Sequence, residues 1–311
     1  MATNLIIDGN CIGYSNHYGK KLNYNGMQTQ AIYGTLQSIR LLYSEFRDAS
    51  RVALWDGRAQ WRFDMHPSYK SKREDPKRLV DKKAYAEQRP HIQRAFQLLG
   101  IPQITVSDME ADDVAGYMSK AFVEKNPSTR VILVTKDFDW MQLVRQGVEF
   151  YNFADSVITN DKNFTKNTGY ADGRSFLAGK AIQGDTSDDI PGVGGIGEKG
   201  AVEFMTAYVS VREFFKGMPE VSGANQENVK QMLKHFSKAE ISFAYGGGID
   251  KYIRNWKLMN LIDAEKPSPD RTKVTKGKFD EEEFWKFCEE FGFSSILNDF
   301  ERFTRIFKNK E

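Results

Sequence analysis

Asp185, Asp188 and Asp189 place three carboxylates within five residues, and a glycine-rich run, Pro191-Gly192-Val193-Gly194-Gly195-Ile196-Gly197, follows at once. Carboxylates crowded in this way suit a hard cation such as Mg²⁺, which takes oxygen ligands. Glycines let backbone N–H groups approach an anion, and the amphipathic helix predicted after Gly197 would turn its N-terminus toward one. Lys199 adds a cation. A metal beside a gripped phosphate is what phosphodiester hydrolysis calls for. In isolation, the stretch also reads as a solvated acidic loop ending in a tight turn.

Acids recur where strands should end. Asn4–Gly9, Val52–Gly57 and Val131–Asp137 are short apolar runs that close on Asp8, Asp56 and Asp137. With helical stretches between them, they predict buried parallel strands of an α/β sheet. Ligands of such sheets sit outside the carboxyl ends of the strands, so these three acids should converge at one edge. A single strand-end Asp commonly caps a helix; three make that explanation weaker without removing it. Met109-Glu110-Ala111-Asp112-Asp113-Val114 then opens a predicted helix. There Glu110 and Asp113 share a face and Asp112 points elsewhere, so one face could ligate metal while the other makes hydrogen bonds. Asp137 and Asp139, two apart, would lie on one side of an extended loop.

Arg58 to Arg94 has a different character. It holds 11 Lys or Arg against 5 Asp or Glu, with Trp61, Phe63, Tyr69 and Tyr85 interleaved. Cations neutralise phosphates, and aromatic rings stack on unpaired bases. Pro67, Pro76 and Pro90 predict short pieces in a mobile lid or arch, and a solvated charged insertion is the plainer alternative. His66 and His91 show no ligand spacing.

The 311 residues suit one large or two small domains, and the net charge of +2 does not by itself announce nucleic acid. Cys11 and Cys288 predict neither a disulfide framework nor a cysteine zinc site. No leader pattern or membrane-length apolar run is present, so a reduced, soluble, intracellular protein is expected. The pattern predicts a helix over 27–49, a strand over 101–106, a strand pair over 148–159 and a helix over 173–183. Residues 266–278 read as a linker or exposed loop. Residues 279–310 read as two amphipathic helices whose Phe stripes are core, with partner docking the lesser reading.

Six motifs in order, LIIDGN, ALWDGR, WRFDMHPSYKSKR, MEADDVAG, TKDFDW and GDTSDDIPGVGGIGEKGA, make the chain from about Asn4 to about Met205 resemble the 5′-nucleases of the flap endonuclease family. These include the 5′-nuclease domains of bacterial DNA polymerases and standalone phage 5′–3′ exonucleases. The resemblance implies an α/β fold with a central, mostly parallel sheet flanked by helices, a helical arch, and a helix-hairpin-helix module that grips duplex DNA. It also implies a nuclease domain over 1–183 with the arch at about 58–94, a helix-hairpin-helix region over 184–265, and a linker with C-terminal helices over 266–311.

By the same resemblance, Asp8, Asp56, Glu110 and Asp112 would serve a first Mg²⁺. Asp137, Asp139, Asp185 and Asp188 would serve a second, with Asp113 supporting from the edge and Mn²⁺ as a substitute. Lys70, then Arg73, would contact the scissile phosphate. Arg62, Tyr69, Lys70 and Arg73 would meet DNA at the arch base, and Gly192, Gly195, Gly197 and Lys199 at the hairpin, where the family often holds K⁺. The implied substrate is DNA with a 5′ end or flap, or an RNA–DNA hybrid, with a single-strand-binding protein or clamp as partner. A monomeric cytoplasmic enzyme of bacterial or phage origin is expected, acting in primer or flap removal.

Two departures stand out: Asp189 where the family usually has Asn, and Gly200 where it often has Thr. The extra carboxylate is expected to weaken phosphate approach or adjust a metal. So many crowded acids also predict a site stabilised by cations. A non-catalytic DNA-structure binder of the same fold and a single-strand ribonuclease remain the alternatives; the hairpin argues against the second.

Overall fold

The computed structural model describes residues 2–74, 76–218 and 233–308. Its centre is a seven-stranded sheet. The strands are β1 (Thr3–Asp8), β4 (Ser50–Trp55), β5 (Gln103–Val106), β6 (Arg130–Thr135), β7 (Val148–Asn152), β8 (Val157–Thr159) and β11 (Thr272–Thr275). Their order is β11-β5-β4-β1-β6-β7-β8. Small two-residue pairs form β2 (Asn23–Tyr24) with β3 (Met27–Gln28), and β9 (Gly184–Asp185) with β10 (Ile190–Pro191). The five inner strands of the sheet are parallel, and β8 and β11 run antiparallel at the edges. The chain goes from β1 outward to β4 and β5, then returns to place β6 on the other side of β1. The carboxyl ends of β1, β4 and β6 therefore surround the switch point, where such sheets bind ligands.

Side-chain alternation explains the unbroken apolar runs. Leu5, Ile7, Ala53, Trp55, Ile132 and Val134 pack on one face of the sheet. Ile6, Leu54 and Leu133 pack on the other, with Val114, Trp140 and Phe204. A sheet covered on both faces needs apolar residues at every position.

Helix α1 (Gly9–His17) and helix α2 (Gln30–Glu45) cover the first face, α2 starting later than predicted because β2 and β3 occupy the residues before it. A short helix, α3 (Gln60–Met65), leads through a 3₁₀ turn at Ser71–Glu74 to α4 (Pro76–Leu98). The expectation of short pieces is corrected here, for α4 is one 23-residue helix that runs through Pro90. Tyr85, Ile92, Ala95 and Phe96 are buried in the first core, and that packing offsets the hydrogen bond a proline cannot donate.

The segment expected as a linker instead supplies an edge strand, since Thr272–Thr275 pairs with Val106–Gln103. Helices follow at Glu281–Glu290, Ser294–Leu297 and Phe300–Thr304, three where two were expected. Phe284, Phe287 and Phe303 enter the core that holds Leu5 and Ile7, so their stripe is interior. No helix among the described residues is long and apolar enough to cross a membrane, and both cysteines are free.

Candidate active site at the sheet edge

Asp8 ends β1 and caps α1, its Oδ1 accepting from the Cys11 N–H at 2.8 Å. Its Oδ2 accepts from Thr135 Oγ1 at 2.9 Å, which ties β1 to β6 across the switch point. Asp56 follows β4 and accepts from the Ala111 N–H at 2.9 Å. Helix α5 (Ala111–Lys125) thus starts with its first amide on a carboxylate of the neighbouring strand. Asp137 lies two residues past the end of β6 and accepts from the Asp139 N–H at 2.9 Å. Asp112, in the first turn of α5, takes the Trp140 indole N–H at 2.7 Å.

Burial, then the charge of Asp56, pushes the Asp8 carboxyl up to about 7. Burial, then Asp139, does the same to Asp137, also to about 7. Burial raises Asp112 well above its ordinary value, with Asp137, Asp56 and Asp8 repelling it. Burial also raises Asp56 and Asp139. Asp8, Asp56, Asp112, Asp137 and Asp139 therefore form an assembled cluster whose negative charge is under-compensated.

Lysines answer part of that charge. Lys70 Nζ lies 2.5 Å from Glu110 Oε1 and 3.8 Å from Asp188 Oδ2. Lys180, on α7 (Gly173–Gln183), bridges Asp139 at 2.8 Å and Asp185 at 3.2 Å. Burial works against the Lys180 charge, but Asp139 and Asp185 hold its pKa above the usual lysine value. Burial raises the Asp185 carboxyl, yet Lys180 and the Ser187 hydrogen bonds bring it below its ordinary value. Likewise burial opposes ionisation of Glu110, and Lys70 and Arg62 outweigh it.

Glu110, Asp112, Asp139, Asp185 and Asp188 all line one crevice of about 20 Å³. That is room for roughly one water-sized group. An all-oxygen, desolvated donor set fits a hard divalent cation. Among the described residues no three acids are already set as ligands of a common point; Lys70 and Lys180 hold the oxygens instead.

Four expectations change. Arg62, read as a DNA contact, is 2% exposed. It grips Asp113 through two bonds of 2.7 and 2.6 Å and donates to the Leu258 carbonyl. Both Asp113 oxygens are engaged there, and one also accepts from the Glu110 N–H, which makes Asp113 a structural partner rather than a metal ligand. Tyr69, also read as a DNA contact, is buried with its hydroxyl donating to Glu110 at 3.0 Å. Asp189 turns its carboxylate to Ser71 and Lys72, not to a metal. The Arg73 side chain lies outside the described residues.

Lys180, Trp140 and Thr135 were missed. Trp140 stands inside the TKDFDW motif, so its place was marked, but the spacing of five from Lys180 to Asp185 matches no helical pairing.

The hairpin lies between α7 and a further helix, Glu198–Tyr208. Gly192 passes so close to the end of α7 that a Cβ would stand 2.3 Å from the Gln183 carbonyl. Gly195 takes φ +74°. Gly197 caps Glu198–Tyr208 without a side-chain hydrogen bond and opens onto free space, beside exposed Lys199. Asn255, fully buried, donates to the Ala181 and Pro191 carbonyls and fixes the helix Gly248–Met259 to this unit.

The raised carboxyls give a pH signature. Asp8 and Asp137 hold protons up to about pH 7 when folded, against 3.8 ordinarily. Between those values the folded state binds more protons than the unfolded one, so stability present at low pH is lost as pH rises through about 7. The metal-free protein should melt lower at about pH 8 than at about pH 5, and Mg²⁺ should raise the melting temperature more at pH 8. Calorimetry with chelator and with Mg²⁺ checks this; a metal-free protein more stable at pH 8 would refute it.

The family model for the 5′–3′ exonuclease N-terminal resolvase-like domain matches residues 3–169. A 5′–3′ exonuclease of Buchnera aphidicola subsp. Schizaphis graminum is 26% identical over 243 residues, covering 75% of this chain and 81% of that protein. One of Bacillus subtilis is 29% identical over 223 residues, covering 70% and 72%. The thermostable DNA polymerase I of Thermus filiformis is 28% identical over 219 residues, 70% of this chain but only 25% of that polymerase. Among solved structures, the bacteriophage T5 D15 flap endonuclease with DNA and metal ions superposes with a TM-score of 0.62 at 21% identity, over 99% of this chain and 100% of that one. The zinc-bound T5 5′-exonuclease gives 0.63 at 22%, over 94% and 98%. With its strand-end acids gathered at the switch point and more than half its length under one family model, the chain belongs to the 5′–3′ exonuclease family.

Proposed function

We propose that the protein is a structure-specific 5′ nuclease that hydrolyses DNA phosphodiesters at 5′ ends and flaps, using two Mg²⁺ ions, and serves primer or flap removal in replication. The observation that carries this reading is the crevice itself. Glu110, Asp112, Asp139, Asp185 and Asp188, from separate elements, line it, with Lys70 Nζ between Glu110 and Asp188.

Asp8, Asp56, Glu110 and Asp112 would hold one cation, and Asp137, Asp139, Asp185 and Asp188 the other. Bound there, the pair supplies a water of lowered pKa and charge neutralisation at the leaving oxygen. The chain's own groups do the rest. Lys70 Nζ, held between Glu110 and Asp188, would face the phosphate and offset its developing charge. Lys180 keeps Asp139 and Asp185 together, and Tyr69 fixes the Glu110 carboxylate. The open N-terminus at Gly197, with Lys199, grips a duplex phosphate.

The test is cleavage of a 5′-labelled DNA flap on a duplex, with and without Mg²⁺, beside a single-stranded RNA. Mg²⁺-dependent release near the junction is expected. Tight binding without cleavage would identify a DNA-structure binder, and cleavage of RNA alone a ribonuclease.

A further inference from the structure

The root of the arch and the acidic loop are joined by a set of contacts that centre on Asp189. The Asp189 Oδ2 accepts from the Lys72 backbone N–H at 2.7 Å and from Ser71 Oγ at 3.2 Å. Its Oδ1 pairs with Lys72 Nζ at 2.9 Å, and the same Nζ donates to the Thr186 carbonyl at 2.9 Å. The Asp189 carbonyl faces His66 Nε2 at 2.9 Å, and the neighbouring Asp188 carbonyl accepts from the Lys70 N–H, also at 2.9 Å. Segments 66–72 and 185–189 are thus laced together through backbone and side chain. The two ends of the lacing carry Lys70 on one side and Asp185 with Asp188 on the other.

Backbone conformation gives the lacing a purpose. Lys70 has φ +58° and Asp189 has φ +60°. Side chains other than glycine and, to a lesser degree, Asn and Asp avoid that region unless the surroundings impose it. Lys70 adopts it while its ammonium lies 2.5 Å from Glu110 and 3.8 Å from Asp188. The hydrogen bonds around Ser71 and Lys72 immediately follow Lys70 and hold the chain there.

We propose that Asp189 is a positioning residue: it clamps the arch root to the acidic loop and so fixes Lys70 over the carboxylates. Lys72 is correspondingly committed to the protein and is not a free DNA contact. The proposal rests on the nuclease reading, because the value of placing Lys70 lies in what it does to a phosphate. Asn at this position would keep part of the clamp. Both residues tolerate positive φ and offer an acceptor oxygen to Lys72 N–H, while the acid adds the Lys72 ion pair. That pair is half exposed on the lysine side, so its share should be small, and the hydrogen bonds should carry the clamp.

The experiment compares Asp189→Gly, Asp189→Asn and Lys72→Ala with the native enzyme. Glycine removes the carboxylate without straining the backbone, because it accepts positive φ freely. The readouts are single-turnover cleavage of the 5′-flap substrate at saturating Mg²⁺, flap affinity in Ca²⁺, the Mg²⁺ concentration for half-maximal rate, and trypsin cleavage at the arch root. Native cleavage must be seen first; its absence would remove the nuclease reading and leave the clamp to be judged by trypsin alone.

D189G should lose about 10- to 100-fold in single-turnover rate, since displacement of a catalytic group by about 1 Å costs this much. Its flap affinity and Mg²⁺ requirement should be little changed, and trypsin should cut faster after Lys70 or Lys72. D189N and K72A should stay within about threefold of native, as a half-exposed ion pair contributes little. A native rate and native trypsin resistance in D189G would overturn the proposal. So would a D189N as impaired as D189G, or a D189G defect corrected by more Mg²⁺, because either would make Asp189 a metal-site charge and not a clamp.

Discussion

Replacing Asp137 with Asn should reduce flap cleavage by about 10³-fold or more while leaving flap binding within a few-fold of native. Metal-borne charge stabilisation is worth several kcal/mol in the transition state, and each ~1.4 kcal/mol is a factor of ten. Asp137 follows β6, and burial, then repulsion by Asp139, makes its charge costly to hold in the site. Asn is close in shape and can still accept from the Asp139 N–H, so the local turn should survive. The loss would then come from the missing charge alone. Removing a carboxyl raised to about 7 should also make the metal-free protein more stable near pH 8. Lower activity with higher metal-free stability is the signature to look for, read by single-turnover kinetics and calorimetry on the same preparation. Native turnover by Asp137→Asn would remove that residue from the metal set.

Replacing Arg62 with Ala should destabilise the protein by about 3–5 kcal/mol, the usual consequence of leaving one partner of a buried ion pair alone. The guanidinium is buried, holds both Asp113 oxygens, lies 3.4 Å from Glu110, and donates to the Leu258 carbonyl on the helix Gly248–Met259. It therefore joins α3, α5 and the helical region behind the hairpin. Against a typical total stability of about 5–15 kcal/mol, such a loss would be large. Arg62→Lys should recover little, because an ammonium cannot present the two parallel donors that Asp113 receives. Arg62→Met combined with Asp113→Leu should be less damaging than Arg62→Ala, since a matched apolar pair leaves no orphaned charge. Urea unfolding of the single and double variants supplies the coupling energy. A loss below about 1 kcal/mol for Arg62→Ala would show that the pair is not a structural link.

These two residues show what kind of information each level holds. Asp137 was legible in sequence because an acid closing an apolar run has a forced location: parallel strands end together, so strand-end acids share an edge. Asp8 and Asp56 were legible for the same reason, and the glycine hairpin because few other residues allow its backbone to turn so near α7. Arg62 carried a correct motif and an incorrect direction. Sequence spacing states that a cation lies near the site, not whether it faces solvent or an acid 51 residues away.

Local rules also failed where tertiary packing overrode them. Three prolines predicted a broken arch, yet burial of Tyr85, Ile92, Ala95 and Phe96 carries α4 through Pro90. A Pro- and Lys-rich stretch predicted a linker, yet β5 offered it an open edge and Thr272–Thr275 pairs there.

The sequence by itself determined which carboxylates stand at the strand ends and where the glycine turn follows the acidic loop. The tertiary structure alone decided how that charge is held. Lys180 bridging Asp139 and Asp185, Trp140 on Asp112, and Asp189 turned away from the site to the arch root are all contacts between segments with no periodic relation. Such pairings depend on where whole elements settle in space, which is set by packing of the two apolar faces of the sheet and has no signal in the spacing of the residues themselves.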